Sequence, residues 1–173
     1  MKQQHMTQKF IDLHNANSDA LFRYCYFRVS DREQAVDLVQ ETFLKLWDAF
    51  VKDSTEIKNA RALLYKIASN LIIDWYRKKK AVSLDELLDF EQTEAYLNLA
   101  DGSHEMMEIE SDGKKALQYI SKLEPTYQRV VYLRYVEDLS PKEIAEVVGL
   151  SVNVVSVRIN RGIQELKKIY GLQ

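Results

Sequence analysis

One cysteine, two prolines and five glycines are all that this 173-residue chain holds of the residues that staple or break a fold. The lone thiol, Cys25, can form no intrachain disulfide, and its place among Phe22, Tyr24, Tyr26 and Phe27 predicts a buried, unreactive group. So few turn formers exclude an all-β chain, and 46% hydrophobic residues supply real cores, so an all-α, globular class follows. The amino terminus, Met1-Lys2-Gln3-Gln4-His5, lacks the apolar core of a signal peptide. No window approaches the roughly 20 apolar residues of a membrane span, so a cytoplasmic protein without membrane insertion is expected. Catalytic equipment is missing as well. His5, His14 and His104 are scattered and no glycine-rich phosphate loop occurs, so no enzyme, catalytic residue, metal site or cofactor is predicted.

What is there is an uneven distribution of charge. A net charge of −2 averages three blocks: residues 1–80 carry 14 basic and 10 acidic side chains, residues 81–112 none and 10, and residues 113–173 ten and six. Two basic blocks flanking an acidic one predict two small helical domains, 1–80 and 113–173, joined by an acidic linker at 81–112. A basic block is the footprint of a phosphate-binding surface, although an excess of four charges is modest.

Periodicity fills in the elements. From Met6 to Phe27 apolar residues recur at helical spacing (Phe10, Leu13, Leu21, Phe22, Cys25), with Asn15 to Ser18 as an interruption, so one long helix or two short ones fit. Ser30 stands three residues before Glu33 as in a capping box and predicts the start of the next helix. Its core face is read as Ala35, Val36, Val39, Phe43, Leu46, Trp47 and Phe50, with Asp37, Gln40, Glu41, Leu44, Lys45 and Asp48 on the other side. Val51 to Asn59 has no helical period and reads as a loop. Ala60 to Lys80 is helical, with Leu63, Leu64, Ile67, Leu71 and Trp75 facing the core. In the linker, Ser83 with Glu86 is a candidate cap for a short helix, and the linker's leucines have no assigned role.

The second half carries the stronger local signals. Lys114 to Leu123 forms a helix, Pro125 breaks it, and Thr126 to Val136 forms another. Ser140-Pro141-Lys142-Glu143 combines an N-cap serine, proline at the first helical position and glutamate three residues after the cap. Gly149 can end that short helix in the left-handed conformation, and Ser151 can cap the next. Two helices joined by a short glycine-containing turn match the helix-turn-helix pattern of DNA-binding proteins. Ile144, Ala145 and Val148 of the first helix, and Val152, Val155, Ile159, Ile163 and Leu166 of the second, are assigned to the core. Asn153, Val154, Ser156, Val157, Arg158, Asn160 and Arg161 then point outward. That set suits a major groove: arginine donates to guanine or phosphate, asparagine pairs with adenine, and valine touches a thymine methyl.

Three motifs together resemble the extracytoplasmic-function group of bacterial sigma factors, over nearly the whole chain. Asp37 to Trp47 (DLVQETFLKLW) is similar to the region 2 helix that docks on the clamp helices of RNA polymerase. Leu64 to Lys79 is similar to the segment that opens and reads the −10 promoter element. Leu123-Glu124-Pro125, Val131 to Tyr135 and Ser140 to Lys168 look like region 4, which reads the −35 element. The resemblance implies a transcription initiation factor whose partners are core RNA polymerase, through its clamp helices and flap, and promoter DNA. It leaves room for an anti-sigma factor.

It assigns polymerase binding to Asp37, Gln40, Glu41, Leu44 and Trp47. The −10 contacts fall on Lys52, Lys58, Asn59, Lys66, Asn70, Trp75, Tyr76, Arg77, Lys78 and Lys79, with the loop from Val51 to Asn59, together with Asn70, around a flipped base. The −35 contacts fall on Ser151, Asn153, Val154, Ser156, Val157, Arg158 and Arg161. In the family the linker threads through polymerase towards the RNA exit path, and a segment this acidic resembles RNA electrostatically; a soluble spacer that repels DNA fits the same charge. The sequence also departs from the family. Asn153-Val154-Val155 replaces the small residue or glycine followed by threonine that is usual at the start of the recognition helix, so no promoter sequence is carried over. With nothing after Gln173, inhibition by an appended module is not expected. Two other readings compete: a DNA-binding regulator that never joins polymerase, and an interaction module whose basic surfaces bind an acidic protein. The patch on Asp37 to Leu44 and the aromatic-basic run after Asp74 speak against the first, and the second predicts no dependence on DNA at all.

Overall fold

A computed structural model describes residues 2–52, 57–82 and 111–171, and contacts divide the chain into two compact units, Met1–Leu84 and Asp85–Gln173. Among the described residues every regular element is a helix. The linker at 81–112, with its candidate cap Ser83–Glu86, lies almost wholly outside the described residues.

The first unit is a three-helix bundle of α1 (Lys2–Val29), α2 (Arg32–Lys52) and α3 (Ala60–Val82), each packed on the other two. The stretch Asn15 to Ser18 does not interrupt α1. Asn17 turns its amide back onto the carbonyl of Leu13 at 2.8 Å, and Ser18 donates to the carbonyl of His14, so these polar side chains are satisfied inside the helix. Leu21, Tyr24 and Cys25 of α1, Leu38 and Leu46 of α2, and Leu64, Tyr65, Ala68 and Ile72 of α3 make the core. At the far end of α1, Phe10 meets Phe43, Trp47 and Phe50 edge-on, with ring centroids 6.2, 5.0 and 6.2 Å away. Tyr24 and Ser69 share a buried hydroxyl hydrogen bond of 2.8 Å between α1 and α3.

Several details differ from the periodicity. Ser30 is not the cap of α2: its N–H donates to the carbonyl of Tyr26 and its φ is +56°, so it finishes α1 in the left-handed conformation. Asp31 takes the capping role, accepting from the N–H of Gln34 at 3.0 Å. On α2 the buried set is Ala35, Leu38, Thr42, Phe43, Leu46 and Phe50, while Val36 is exposed and Val39 half-buried. Contact with two helices turns Leu38 and Thr42 inward, and Thr42 is tolerated there because its hydroxyl donates to the carbonyl of Leu38 at 2.6 Å. The helix also continues through Val51 and Lys52, read above as loop; residues 53–56 lie outside the described residues. On α3, Tyr65 and Ile72 belong to the core, whereas Leu63, Ile67 and Trp75 are half-buried.

The second unit contains α4 (Ser111–Ile120), α5 (Pro125–Tyr135), α6 (Pro141–Val148) and α7 (Val152–Tyr170). Pro125 opens α5 at its first position, where a missing N–H costs nothing. Val130, Val131, Leu133, Leu139, Ile144, Val147, Val155 and Ile159 fill the centre, with α5 lying against both α6 and α7. The axes of α5 and α7 approach closely at Gly162. A methyl group built there would stand 2.6 Å from Val131 Cγ2 and 3.1 Å from Tyr127 Cβ. Sequence reading passed over this glycine, since a lone glycine inside a helical pattern carries no sign of what crosses it.

Candidate nucleic-acid interface

The helix pair α6–α7 is fixed at each of its corners by the chemistry its sequence predicts. Ser140 Oγ accepts from the N–H of Glu143 at 3.3 Å and Glu143 Oε2 accepts from the N–H of Ser140 at 2.7 Å, a complete capping box with Pro141 at the first helical position. Arg134 closes the preceding turn by donating to the carbonyl of Leu139 at 3.1 Å. Gly149, at φ 72°, ends α6, and Ser151 accepts from the N–H of Val154 to begin α7. The turn between the helices is therefore held by backbone and cap bonds, which aims α7 as a rigid element.

Burial sorts α7 into two faces. Val155, Ile159 and Gly162 are buried, while Asn153, Val154, Val157, Asn160 and Arg161 are exposed and Ser156 and Arg158 half-exposed. All seven residues assigned to −35 contact thus lie at or beside the outward face, and Gln164, not named before, continues it. Two of them have duties in the fold: Ser151 is the cap, and Ser156 donates to the carbonyl of Val152 at 2.9 Å. Val152, assigned to the core, is exposed at the first position of α7, next to the Ser151 cap. Val147 is buried on α6, and Val148, assigned to the core, is half-buried.

In the first unit the residues assigned to −10 contact spread along α3 rather than gathering. From Asn59 to Arg77 the helix rises about 27 Å, the length of roughly eight steps of a nucleic-acid strand. Lys52 ends α2 and Lys58 precedes α3, both exposed. Asn59 is engaged in capping α3, its Oδ1 accepting from the N–H of Ala62 at 2.9 Å. Lys66, Asn70 and Arg77 line one exposed stripe, with Arg77 3.5 Å from Asp74, and Lys78 lies beside it.

The aromatic pair sits on another side. Tyr76 donates its hydroxyl to the carbonyl of Arg28 and so ties the end of α3 to the end of α1, and burial raises its pKa. Trp75 meets Tyr76 edge-on at 4.7 Å and carries the ammonium of Lys79 at 4.9 Å over its ring. Both rings are half-buried, and Tyr76 has a duty in the fold besides the −10 contact assigned to it.

On α2, Asp37, Gln40, Glu41 and Leu44 are exposed on one face, Leu44 at 66%. Glu41 pairs with Lys45 at 3.5 Å, an exposed pair of little energetic weight. Trp47 lies one turn on, half-buried, with an edge against Phe10, and flanks the patch rather than standing in it. In the second unit, Tyr135 and Val136 at the end of α5 form an exposed apolar pair that helical periodicity assigned no role.

Residues 13–82 match the family description "Sigma-70 region 2" and residues 114–166 match "Sigma-70, region 4". The chain is 31% identical over 169 residues to the ECF RNA polymerase sigma factor SigW of Bacillus subtilis (strain 168), covering 92% of this chain and 87% of that one. It is 29% identical over 165 residues to the RNA polymerase sigma factor YlaC of the same organism, covering 91% and 89%. Among solved structures, the sigma factor RpoE in complex with the anti-sigma factor NepR from Bartonella quintana superposes with a TM-score of 0.69 at 20% identity, over 96% of this chain and 99% of that one. CnrH, in complex with the cytosolic domain of CnrY, gives 0.62 at 23% identity, over 95% and 89%. At these identities the structural likeness speaks for the fold.

Proposed function

The chain belongs to the sigma-70 family, as an extracytoplasmic-function RNA polymerase sigma factor that directs transcription initiation at promoters, and from that premise we propose how its surfaces divide the work. Residues 1–80 bind core polymerase and open the −10 element, residues 113–173 anchor the −35 element, and the acidic segment 81–112 follows a basic channel of the polymerase. Catalysis is polymerase's own, and the factor works in the cytoplasm. Among the described residues no helix is long and apolar enough to cross a membrane.

The observation that carries this reading is the presence of two exposed faces turned away from the cores: Asp37, Gln40, Glu41 and Leu44 on α2, and Asn153, Val154, Val157, Asn160 and Arg161 on α7. Leu44 is the apolar centre of a polar ring, the composition of a protein–protein contact in which one desolvated side chain supplies most of the energy. The clamp helices of polymerase are its partner in this proposal, with Trp47 bracing the edge. Tyr135 and Val136 offer a second apolar contact, for the flap.

On α3, Lys66, Asn70, Arg77 and Lys78 follow the phosphates of the −10 strand, and Trp75 with Lys79 stacks on an exposed base at the end of the helix. Lys52 and Lys58 guide a flipped base to the opposite end. On α7, Arg158 and Arg161 fix α7 to guanine or phosphate, Ser151 and Ser156 lie at phosphate height, and Asn153 reaches a base edge. An anti-sigma factor, the partner present with RpoE, is proposed to act by covering these faces.

Run-off transcription with core polymerase on genomic fragments tests the reading. Discrete transcripts should appear when the protein is added and vanish when Gln40 and Leu44 are both replaced by Ala, with the circular dichroism spectrum unchanged. Transcripts that persist with the double variant would remove the α2 face from the docking surface.

A further inference from the structure

On the outward face of α7, two of the side chains at its centre are apolar. Val154 and Val157 are 41% and 48% exposed, three residues apart, with Arg158 and Arg161 one turn further along from each. Exposed single valines are ordinary on protein surfaces. Two neighbouring ones on a face otherwise built of Asn153, Asn160, Arg161 and Gln164 form a short apolar strip inside a polar frame. Neither belongs to the core, since the buried residues of this helix are Val155, Ile159 and Gly162. Val152, also exposed, lies towards the opposite flank at the start of the helix and is not part of the strip.

We propose that Val154 and Val157 read the 5-methyl groups of thymines in the −35 element, so that this factor selects thymine at two neighbouring base steps there. The proposal rests on the reading that α7 enters the major groove. Residues three apart rise about 4.5 Å along a helix, close to the roughly 3.4 Å between successive bases of a strand, so the two side chains can meet adjacent methyls. Valine carries no donor or acceptor. In the groove it discriminates only by burying apolar surface, and thymine's methyl is the one apolar group that a base edge offers. A valine at either position penalises cytosine, guanine or adenine by leaving their polar edges unpaired.

The test needs no knowledge of the natural promoter. Holoenzyme assembled on core polymerase selects duplexes from a pool randomised across the −35 segment, and the selected duplexes are resynthesised with deoxyuridine for thymidine in that segment, which deletes only the methyl. Two thymines should emerge at neighbouring positions. Each uracil should weaken holoenzyme binding about fourfold, the equivalent of one buried methylene-sized group. Holoenzyme carrying Val154→Ala and Val157→Ala should bind thymine and uracil duplexes alike. Equal affinity of the unaltered holoenzyme for both duplexes, or selection without thymine preference, overturns the proposal, and since that arm uses the native protein a folding defect cannot imitate it. Failure of the groove reading looks different: Arg158→Ala with Arg161→Ala would then leave affinity and its salt dependence unchanged.

Discussion

Replacing Gly162 by alanine separates two opposed effects whose sizes can be worked out. In a free helix the change is favourable by about 0.8–1.0 kcal/mol, because alanine loses less backbone freedom than glycine. Here the new methyl would lie 2.6 Å from Val131 Cγ2 and 3.1 Å from Tyr127 Cβ, whereas carbon atoms rest at about 3.5–4.0 Å. Val131 is buried and β-branched within α5, so its methyl has no second comfortable rotamer to move into. Tyr127 Cβ moves only with its backbone. The two helices must therefore part by several tenths of an ångström along a packed seam, which costs about 1–3 kcal/mol. The net expectation is a loss of about 1 kcal/mol, or about 4–8 °C in the melting of a unit this size. Gly162→Val, which adds two more carbons and little helix propensity, should cost several times as much. Amide hydrogen exchange on the full chain localises the effect to α5 and α7, with Asn160→Ala as the exposed control within about 0.5 kcal/mol of the parent. If Gly162→Ala were as stable as the parent or more so, the close crossing of α5 and α7 would be refuted.

The remaining expectations concern other corners of the fold. Burial pushes the Cys25 thiol up to about 12 from an ordinary 9.0, so its contribution to stability is complete below pH 9 and is lost as pH rises towards 12. Alkaline unfolding of the first unit should accordingly be shallower in Cys25→Ala, whereas the native thiol should resist alkylation at pH 8 until the protein is denatured. Tyr76→Phe removes the donor to the Arg28 carbonyl and should lower the urea midpoint of the first unit by the equivalent of about 1 kcal/mol; an unchanged midpoint would mean that the end of α3 is held by packing alone. Ser140→Ala breaks the capping box and should cost about 1 kcal/mol, seen as faster exchange in α6; exchange in α6 as slow as in the parent would mean that the box adds nothing to the helix.

How far the fold was legible depended on whether the deciding interaction was local. The start of α6 and the turn into α7 follow from residues within four positions of one another, so Ser140, Glu143, Gly149 and Ser151 could be assigned roles from the sequence, and each has that role. The three-and-four spacing of Val155 and Ile159 likewise identified the inward face of α7. What could not be read was set by partners distant in sequence. Thr42 is inside because its own helix satisfies its hydroxyl while two other helices cover it. Tyr76 turned out to be a tie because the carbonyl it meets belongs to residue 28. Gly162 is explained only by Val131 and Tyr127. At Ser30 the error was one of competition: serine three before glutamate is a sound helix-start signal, but α1 used Ser30 to finish its own last turn. The assigned contact faces were legible as exposed stripes; the tie that Tyr76 makes to the end of α1 was not.

The separation of α7 into an inner and an outer face has a consequence for descent. Since Val155, Ile159 and Gly162 hold the helix while Asn153, Val157, Asn160 and Arg161 are exposed, changes at the outer positions are nearly silent in folding, within about 0.5 kcal/mol each. A duplicated gene could therefore drift through many outer-face sequences without passing through an unfolded ancestor. Each step would redirect the copy to a different set of genes while the frame that presents it stayed the same.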